Sequence, residues 1–251
     1  PSDSRQGELL SRVLIDRGIK AVAVTYTNND YGKGFADSFV AAYKAAGGTV
    51  TLVAPHEDGK ADYSAEVSAL SVAGGDTLVV LGYSAQGGHG IIKASLDSGA
   101  FDSFAVGDGM HSEKLTADFG PDLKIFGTVP WTVGDGAAKF AALAKAAGKN
   151  ADSSFVRESY DATALILLAI QKAGDPAKAA GHIMEVANGP GEKIYPGELA
   201  KALKILKDGG SIDYVGASDV QMIGTGESAG SYREFENRGG KFETVRMLTA
   251  E

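Results

Sequence analysis

The sequence has 251 residues, of which 44% are hydrophobic, and its 24 Lys and Arg against 32 Asp and Glu give a formal net charge of −8. That length allows one large domain or two small ones with buried cores. The acidic balance, without a cluster of basic residues, argues against nucleic-acid binding. Because cysteine is absent, disulfides, thiol nucleophiles and cysteine-ligated metals are excluded. The longest apolar stretch, 162–170, is too short to span a bilayer.

The first half of the sequence alternates short apolar runs with segments of helical periodicity. A helix capped by Asp3 or Ser4 and ending at Gly18 comes first. Predicted strands follow at 19–26, 49–54, 77–81 and 103–106, and predicted helices lie between them at 35–46, 62–73 and 86–96. This is the period of βαβ crossover units, so the fold class predicted is α/β with a doubly wound parallel sheet.

The second half is mostly helical. Helices are predicted at 137–147, 153–173, 177–187 and 197–207, with brief strands only at 212–215 and 219–223, and a final pair of strands at 231–236 and 242–248. These helices need a sheet to cover, and their part of the sequence supplies little of one. We therefore expect an N-terminal portion outside the 251 residues to supply that sheet; a compact helical domain is the alternative.

Three residues stand directly after predicted strands of the first half. Tyr31 follows the first strand, Tyr83 the third, and Asp108 the fourth, in Val106-Gly107-Asp108-Gly109. The carboxyl ends of parallel strands meet at one edge of a sheet, where ligands bind. A carboxylate pairs with an ammonium group, and tyrosines offer an aromatic face and a hydroxyl. The set predicts a site for a small zwitterion. The alternative is structural: Asp108 shapes the turn before a helix capped by Ser112, and each tyrosine packs locally.

The sequence contains no motif typical of nucleotide binding, nucleophilic catalysis or metal binding. The segment 82–88 is rich in glycine but matches neither dinucleotide- nor nucleotide-binding motifs, and Ser84 is not in a nucleophile elbow. The four histidines show no ligand spacing. We therefore predict no catalytic residue, no metal and no cofactor. A general-base role for His111, and a flavodoxin-like enzyme acting at the same sheet edge, remain the open alternatives.

Five segments in order carry a resemblance to a known family: Asp3-Ser4-Arg5-Gln6-Gly7, Asn29-Asp30-Tyr31-Gly32-Lys33-Gly34, Leu81-Gly82-Tyr83, Val106-Gly107-Asp108-Gly109 and Phe155-Val156-Arg157-Glu158-Ser159-Tyr160-Asp161-Ala162. Together they resemble the periplasmic substrate-binding proteins of branched-chain amino acid ABC transporters, which have the type I binding-protein fold. The resemblance implies two α/β lobes joined by three crossings, near Pro1, Val129-Pro130 and 225–230. Residues 1–129 and 230–251 would form ligand-binding lobe II, and 130–229 the C-terminal helical portion of lobe I.

The same resemblance assigns roles to individual residues. It implies that Tyr31 and Tyr83 contact the ligand and that Asp108, where the family often has glutamate, binds the α-ammonium group. Phe155 would add an aromatic wall from the other lobe. The residues that grip the α-carboxylate would lie outside this sequence.

The function implied is that of a periplasmic solute-binding protein, not an enzyme. It would capture an amino acid, branched-chain or small aliphatic, by hinge closure and deliver it to an ABC transporter permease. Its partners would be that ligand and the permease, without nucleic acid and without insertion into the membrane; the oligomeric state stays open. The alternative is a sensor or regulatory domain of the same fold that recognises amides, urea or other small molecules.

Overall fold

The computed structural model describes residues 1–224 and 226–249, and the chain divides into two compact units. Unit 1 comprises Pro1 and residues 130–231, and unit 2 comprises residues 2–129 together with the C-terminal strands from Tyr232 onward. Thr225, part of the predicted third crossing, lies outside the described residues. Within those described residues, no helix combines the length and apolar character needed to cross a bilayer.

Helices and strands alternate through the first half, as predicted. The helices are α1 (Asp3–Asp16), α2 (Asp30–Ala45), α3 (Ser64–Ala73), α4 (Gly87–Ser98), α5 (Glu113–Phe119), α6 (Asp135–Ala146), α7 (Val156–Ala173), α8 (Ile183–Ala187) and α9 (Leu199–Lys207). The strands are β1 (Ala21–Thr27), β2 (Thr49–His56), β3 (Thr77–Leu81), β4 (Ser103–Val106), β5 (Lys124–Pro130), β6 (Glu192–Ile194), β7 (Ile212–Tyr214), β8 (Met222–Gly224), β9 (Glu227–Ser228), β10 (Ser231–Arg238) and β11 (Lys241–Thr249).

Unit 2 is built on a seven-stranded sheet with the order β11-β10-β5-β4-β3-β1-β2. Strand β1 pairs in parallel with both β2 and β3, and β3–β4 and β4–β5 are also parallel. The predicted doubly wound parallel sheet is therefore confirmed. Because β3 pairs with β1 rather than β2, the chain changes direction across the sheet between β1 and β3, which is where such folds leave a crevice.

The core of unit 2 lies on both faces of this sheet. Successive residues of β1 point to opposite sides, so Val22 and Val24 pack among residues of α1 and α2, whereas Ala23 packs among residues of α3, α4 and α5. All three are fully buried. A central strand that is apolar on both faces is typical of parallel sheets covered by helices on each side.

Strand β5 is not predicted from the sequence pattern. Gly127 and the terminal Pro130 interrupt its apolar pattern, as both residue types are poor strand formers. The structure explains the glycine: a Cβ at residue 127 would lie 2.1 Å from the carbonyl oxygen of Val106 on β4. Glycine is thus needed for β5 to pair closely with β4.

Two helix predictions need correction. Helix α2 begins at Asp30 rather than at residue 35, because the Asn29 side chain accepts a hydrogen bond from the Gly32 amide and caps the helix there. The helix predicted over 177–187 is a 3₁₀ segment, Pro176–His182, followed by the short α8. Gly181 near the middle of that stretch disfavours a continuous α-helix.

Unit 1 contains only small sheets in its described part. Strands β6 and β7 form a parallel pair and β8 and β9 an antiparallel pair, as expected for a part of the chain that is short of strands. Its core packs around Leu168 of α7, which is fully buried, while Ile166 and Leu167 of the same helix remain 53% and 43% exposed. Ile166 also lines an apolar groove of about 330 Å³ within this unit.

Asp161 holds α7 to the loop that follows β7. Its carboxylate, 2% exposed, accepts hydrogen bonds from the Tyr214 hydroxyl at 2.9 Å, the Ala217 amide at 2.8 Å and the Ser218 amide at 2.7 Å. A buried carboxylate with this many donors is a satisfied structural element. The presence of an aspartate in the segment 155–162 is thus explained by hydrogen bonds within unit 1.

Candidate functional site

Three of the four predicted site residues come together at the carboxyl edge of the sheet in unit 2. Tyr31 lies in the first turn of α2, Tyr83 in the turn after β3, and Asp108 at the start of a 3₁₀ turn, Asp108–Met110, after β4. Because β1, β3 and β4 are consecutive neighbours in the sheet, the turns that follow them also lie side by side.

The three side chains form a contiguous cluster. The rings of Tyr31 and Tyr83 stack with centroids 5.1 Å apart and planes inclined by 27°. The Tyr31 hydroxyl donates a hydrogen bond to Oδ1 of Asp108 at 3.3 Å. An aromatic surface and a carboxylate therefore stand together, which suits a ligand that has both an apolar and a cationic part.

Asp108 is buried, and no basic side chain is among the groups that most affect its pKa. The residue is 7% exposed, and this burial raises the pKa of its carboxyl group above the ordinary value. Hydrogen bonds from the backbone, Gln6 and Tyr31 oppose the rise, while the nearby acidic Asp3 adds to it. A buried carboxylate of this kind is strongly stabilised by a cation placed against it.

Tyr31 serves as a hydrogen-bond donor. Burial first, and then the charge of Asp108, raise the pKa of its phenol well above the ordinary value. The phenol consequently stays protonated and donates to the carboxylate.

Glycine residues allow this close arrangement. A Cβ at Gly109 would lie 2.4 Å from the carbonyl oxygen of Gly82 and 3.1 Å from Cδ1 of Tyr83. The Ser84 amide donates to the carbonyl oxygen of Gly109 at 2.9 Å. The turn that carries Tyr83 and the turn that carries Asp108 are thus hydrogen-bonded to each other, with no room for a side chain between them.

Gln6 belongs to the cluster and was not predicted as a site residue. It is 2% exposed on α1; its Nε2 donates to the carbonyl oxygen of Thr128 at 2.9 Å, and its side chain also hydrogen-bonds Asp108. The available signal was a polar residue on the face of α1 that also carries Leu9, Leu10 and Val13. A buried glutamine on such a face requires polar partners.

Phe155 belongs to unit 1 and is described there by itself. It lies directly before α7 with φ of 65° and is 46% exposed. A large non-glycine residue in the left-handed region costs on the order of 1–3 kcal/mol and is found more often at functional sites than elsewhere. Its assignment as a ligand wall stays a prediction.

His111 follows Asp108 but has a packing role. Its ring lies 4.6 Å from the ring of Phe235 and 5.1 Å from that of Phe242, and its Nε2 accepts a hydrogen bond from Arg233 at 3.2 Å. Burial and the charge of Arg233 lower its pKa to about 4, so the ring is neutral at pH 7. Within residues 1–224 and 226–249, no cluster of three or more His, Cys, Asp or Glu side chains is arranged to hold a metal ion.

Comparisons with known proteins agree with the fold. The sequence model of the periplasmic binding protein family matches residues 1–191. Leu/Ile/Val-binding protein homolog 1 of Brucella melitensis is 30% identical over 207 residues, which cover 80% of this chain and 50% of that protein. The chain spans about half the length of the curated relatives it matches.

Solved structures show the same architecture. A leucine binding protein, LivK, from Thermotoga maritima superposes with a TM-score of 0.78 at 21% identity, covering 98% of this chain and 66% of that one. A solute binding protein of an ABC transporter from Rhodopseudomonas palustris, in complex with p-hydroxybenzoic acid, gives a TM-score of 0.73 at 18% identity, covering 100% and 66%. The chain therefore belongs to the periplasmic binding protein family, and its fold is the type I fold of the leucine-, isoleucine- and valine-binding proteins.

Proposed function

We propose that this chain is part of an extracytoplasmic solute-binding protein that captures an amino acid through its α-ammonium group. The observation that carries the proposal is the buried carboxylate of Asp108. It accepts hydrogen bonds from the neutral side chains of Tyr31 and Gln6, and no basic residue is among the groups that most affect its pKa. An ammonium group placed against it would neutralise the buried charge.

The tyrosine pair supports an aliphatic amino acid. The stacked rings of Tyr31 and Tyr83 present apolar surface beside the carboxylate, where the Cα and the first side-chain carbons of a bound amino acid would lie. The relatives' names point the same way: one is a Leu/Ile/Val-binding protein homolog and another a leucine binding protein. Phe155 would add a wall from unit 1.

Delivery to a membrane permease is the second part of the proposal. The protein from Rhodopseudomonas palustris that shares this fold is the solute binding protein of an ABC transporter. In two-lobed proteins a ligand that contacts both lobes favours the closed form, because only contacts that differ between the two states shift their equilibrium. We assign unit 2 to one such lobe and unit 1 to a portion of the other.

Isothermal titration of the full-length protein that contains this chain tests the ammonium assignment. We expect L-leucine, L-isoleucine or L-valine to bind at least about 10- to 100-fold more tightly than the matching acid without the amino group, because that acid leaves the buried Asp108 unpaired. Equal affinity for the two would contradict the proposal. Tight binding of p-hydroxybenzoate alone would assign the site to aromatic carboxylates instead.

Two variants separate a local from a general charge effect. Asp108→Asn removes the charge at the site and should reduce amino acid affinity by about 100-fold or more. Asp102→Asn removes an exposed charge near the opposite end of β4, where Asp102 pairs with Lys124, and should leave affinity within about twofold. Equal losses in both variants would show that Asp108 makes no specific contact.

A further inference from the structure

Asp58, in the loop after β2, bonds to the segments that carry both tyrosines. Its Oδ2 accepts a hydrogen bond from the Thr27 hydroxyl at 2.5 Å, at the end of β1 and shortly before Tyr31. Its Oδ1 accepts from the Gly87 amide at 2.9 Å, at the start of α4 and shortly after Tyr83. One carboxylate thus connects two chain segments that are 60 residues apart in sequence.

The surroundings of Gly87 are built around this contact. A Cβ at residue 87 would lie 2.8 Å from Oδ1 of Asp58 and 2.7 Å from Cδ2 of the buried His56. Glycine is therefore required for the backbone amide to reach the carboxylate. The carboxylate also lies at the N-terminus of a twelve-residue helix, where a negative charge is favourable.

The loop itself is held in place by its own contacts. The Tyr63 hydroxyl donates to the carbonyl oxygen of Glu57 at 3.0 Å and accepts from the Lys60 amide at 3.2 Å. The carbonyl oxygen of His56 accepts from the Asn28 amide at 3.0 Å. The carboxylate of Asp58 is consequently presented from a closed loop fixed to the end of β1.

We infer that Asp58 is a positioning residue that sets the stacking of Tyr31 against Tyr83, and through it the shape of the ligand surface beside Asp108. Its hydrogen bonds go to Thr27 and Gly87, at the ends of the two tyrosine-bearing segments. It acts because the distance between the end of β1 and the start of α4 fixes how closely the two turns approach. This inference rests on the proposed amino acid site for its effect on affinity, but not for its effect on the rings.

The geometry of the rings can be measured without ligand. In the NMR spectrum of the full-length protein, stacked rings shift each other's proton resonances, which Tyr31→Phe and Tyr83→Phe assign. We expect Asp58→Ala and Thr27→Val to reduce these shifts at a temperature where far-UV circular dichroism shows the protein fully folded. Thr27→Ser, which keeps the hydroxyl, should retain them. If both Asp58→Ala and Thr27→Val leave the shifts as in the wild type, the inference is wrong.

Ligand affinity supplies the second measurement. We expect Asp58→Ala to weaken binding of L-leucine by about tenfold, or of whichever amino acid the wild type prefers. Asp62→Ala is the matched control, because Asp62 is an exposed acid of the same loop whose carboxylate accepts hydrogen bonds from the amide and hydroxyl of nearby Ser64. The affinity of this variant should stay within about twofold of the wild type. If both variants lose affinity equally, Asp58 acts only through the net charge of the protein, and the positioning role is wrong.

The two measurements keep the inference distinct from the proposed function. Ring shifts that change in Asp58→Ala while no amino acid binds the wild type would support the positioning role and contradict the function. Ring shifts that stay constant in Asp58→Ala while amino acids bind the wild type would support the proposed function and contradict the positioning role.

Discussion

Protonation of the single side chain Asp108 should control binding at low pH. Its raised pKa lies above the 3.8 of a free aspartic acid, so the carboxylate takes up a proton earlier than usual as the pH falls. The protonated form has no charge to attract an ammonium group. We therefore expect the amino acid affinity to decline as the pH falls toward that raised pKa, with proton release on binding wherever the free site is protonated.

Calorimetric titration between pH 7.5 and 4.5, in buffers of different ionisation enthalpy, measures both the affinity and the proton release. In Asp108→Asn the remaining affinity should not vary over this range, provided that circular dichroism shows the protein folded at each pH. A wild-type affinity that rises on acidification would contradict the assignment of the ammonium contact to Asp108.

Among the structural elements, the β10–β11 pair is joined to the turn that carries Asp108 through His111. The ring of His111 packs against Phe235 of β10 and Phe242 of β11, and its backbone amide donates to the carbonyl oxygen of Asp108 at 2.9 Å. The pKa of His111 is lowered from 6.5 to about 4 by burial and by the charge of Arg233. The contact between the β10–β11 pair and the turn that carries Asp108 is thus formed by a neutral imidazole ring.

The free energy of unfolding depends on pH because His111 has different pKa values in the folded and unfolded chains. Well above pH 6.5 His111 is neutral in both folded and unfolded chains and contributes no pH dependence. As the pH falls from 6.5 to about 4, the unfolded chain binds a proton that the folded chain does not, so the free energy of unfolding decreases, by up to about 3 kcal/mol over that window.

Urea unfolding of wild type and His111→Gln at several pH values checks this. The variant should lose part of the decrease between pH 6.5 and 4, and the rest should remain because burial also lowers the pKa of His56. His182→Gln, at a partly exposed histidine of unit 1 that pairs with Glu185, should behave as the wild type. A His111→Gln variant with an unchanged pH dependence would refute the contribution.

At the scale of the whole molecule, unit 2 is completed by residues from the far end of the chain. Strand β10 lies between β5 and β11 in the seven-stranded sheet that also contains β1. Phe235 of β10 is fully buried in the same core as Phe104 of β4. The sheet therefore depends on contacts between residues more than a hundred positions apart. Such contacts form only after a large loop has closed, at an entropic cost.

A substitution in β10 should accordingly destabilise unit 2 even though most of that unit precedes it in sequence. We expect Phe235→Ala to lower the free energy of unfolding by about 3–5 kcal/mol, as for other buried aromatic residues. Val245→Ala on β11, where the side chain is 37% exposed, should cost less than about 1 kcal/mol. Hydrogen exchange of the β1 and β3 amides reports the result, and unchanged protection in Phe235→Ala would count against a single cooperative sheet.

Much of this fold can be read locally from the sequence. The period of the apolar runs predicts strands such as 77–81 and 103–106, which the structure reproduces with the same bounds, because strand and helix patterns are short-range properties. The cap of α5 at Ser112 is of the same kind. Strand β5 was missed because its glycine is explained only by the neighbouring strand, and the 3₁₀ segment at 176–182 because local pattern does not separate it from an α-helix.

The sequence by itself determined that Tyr31, Tyr83 and Asp108 follow parallel strands, and therefore that they share one edge of a sheet. Only the tertiary structure decided that β3 lies beside β1, so that the two tyrosines stack, and that Gln6 and Asp58 reach the same region. The physical reason is that strand order and side-chain partners depend on how whole faces pack and on hydrogen bonds between distant residues. No local periodicity encodes these.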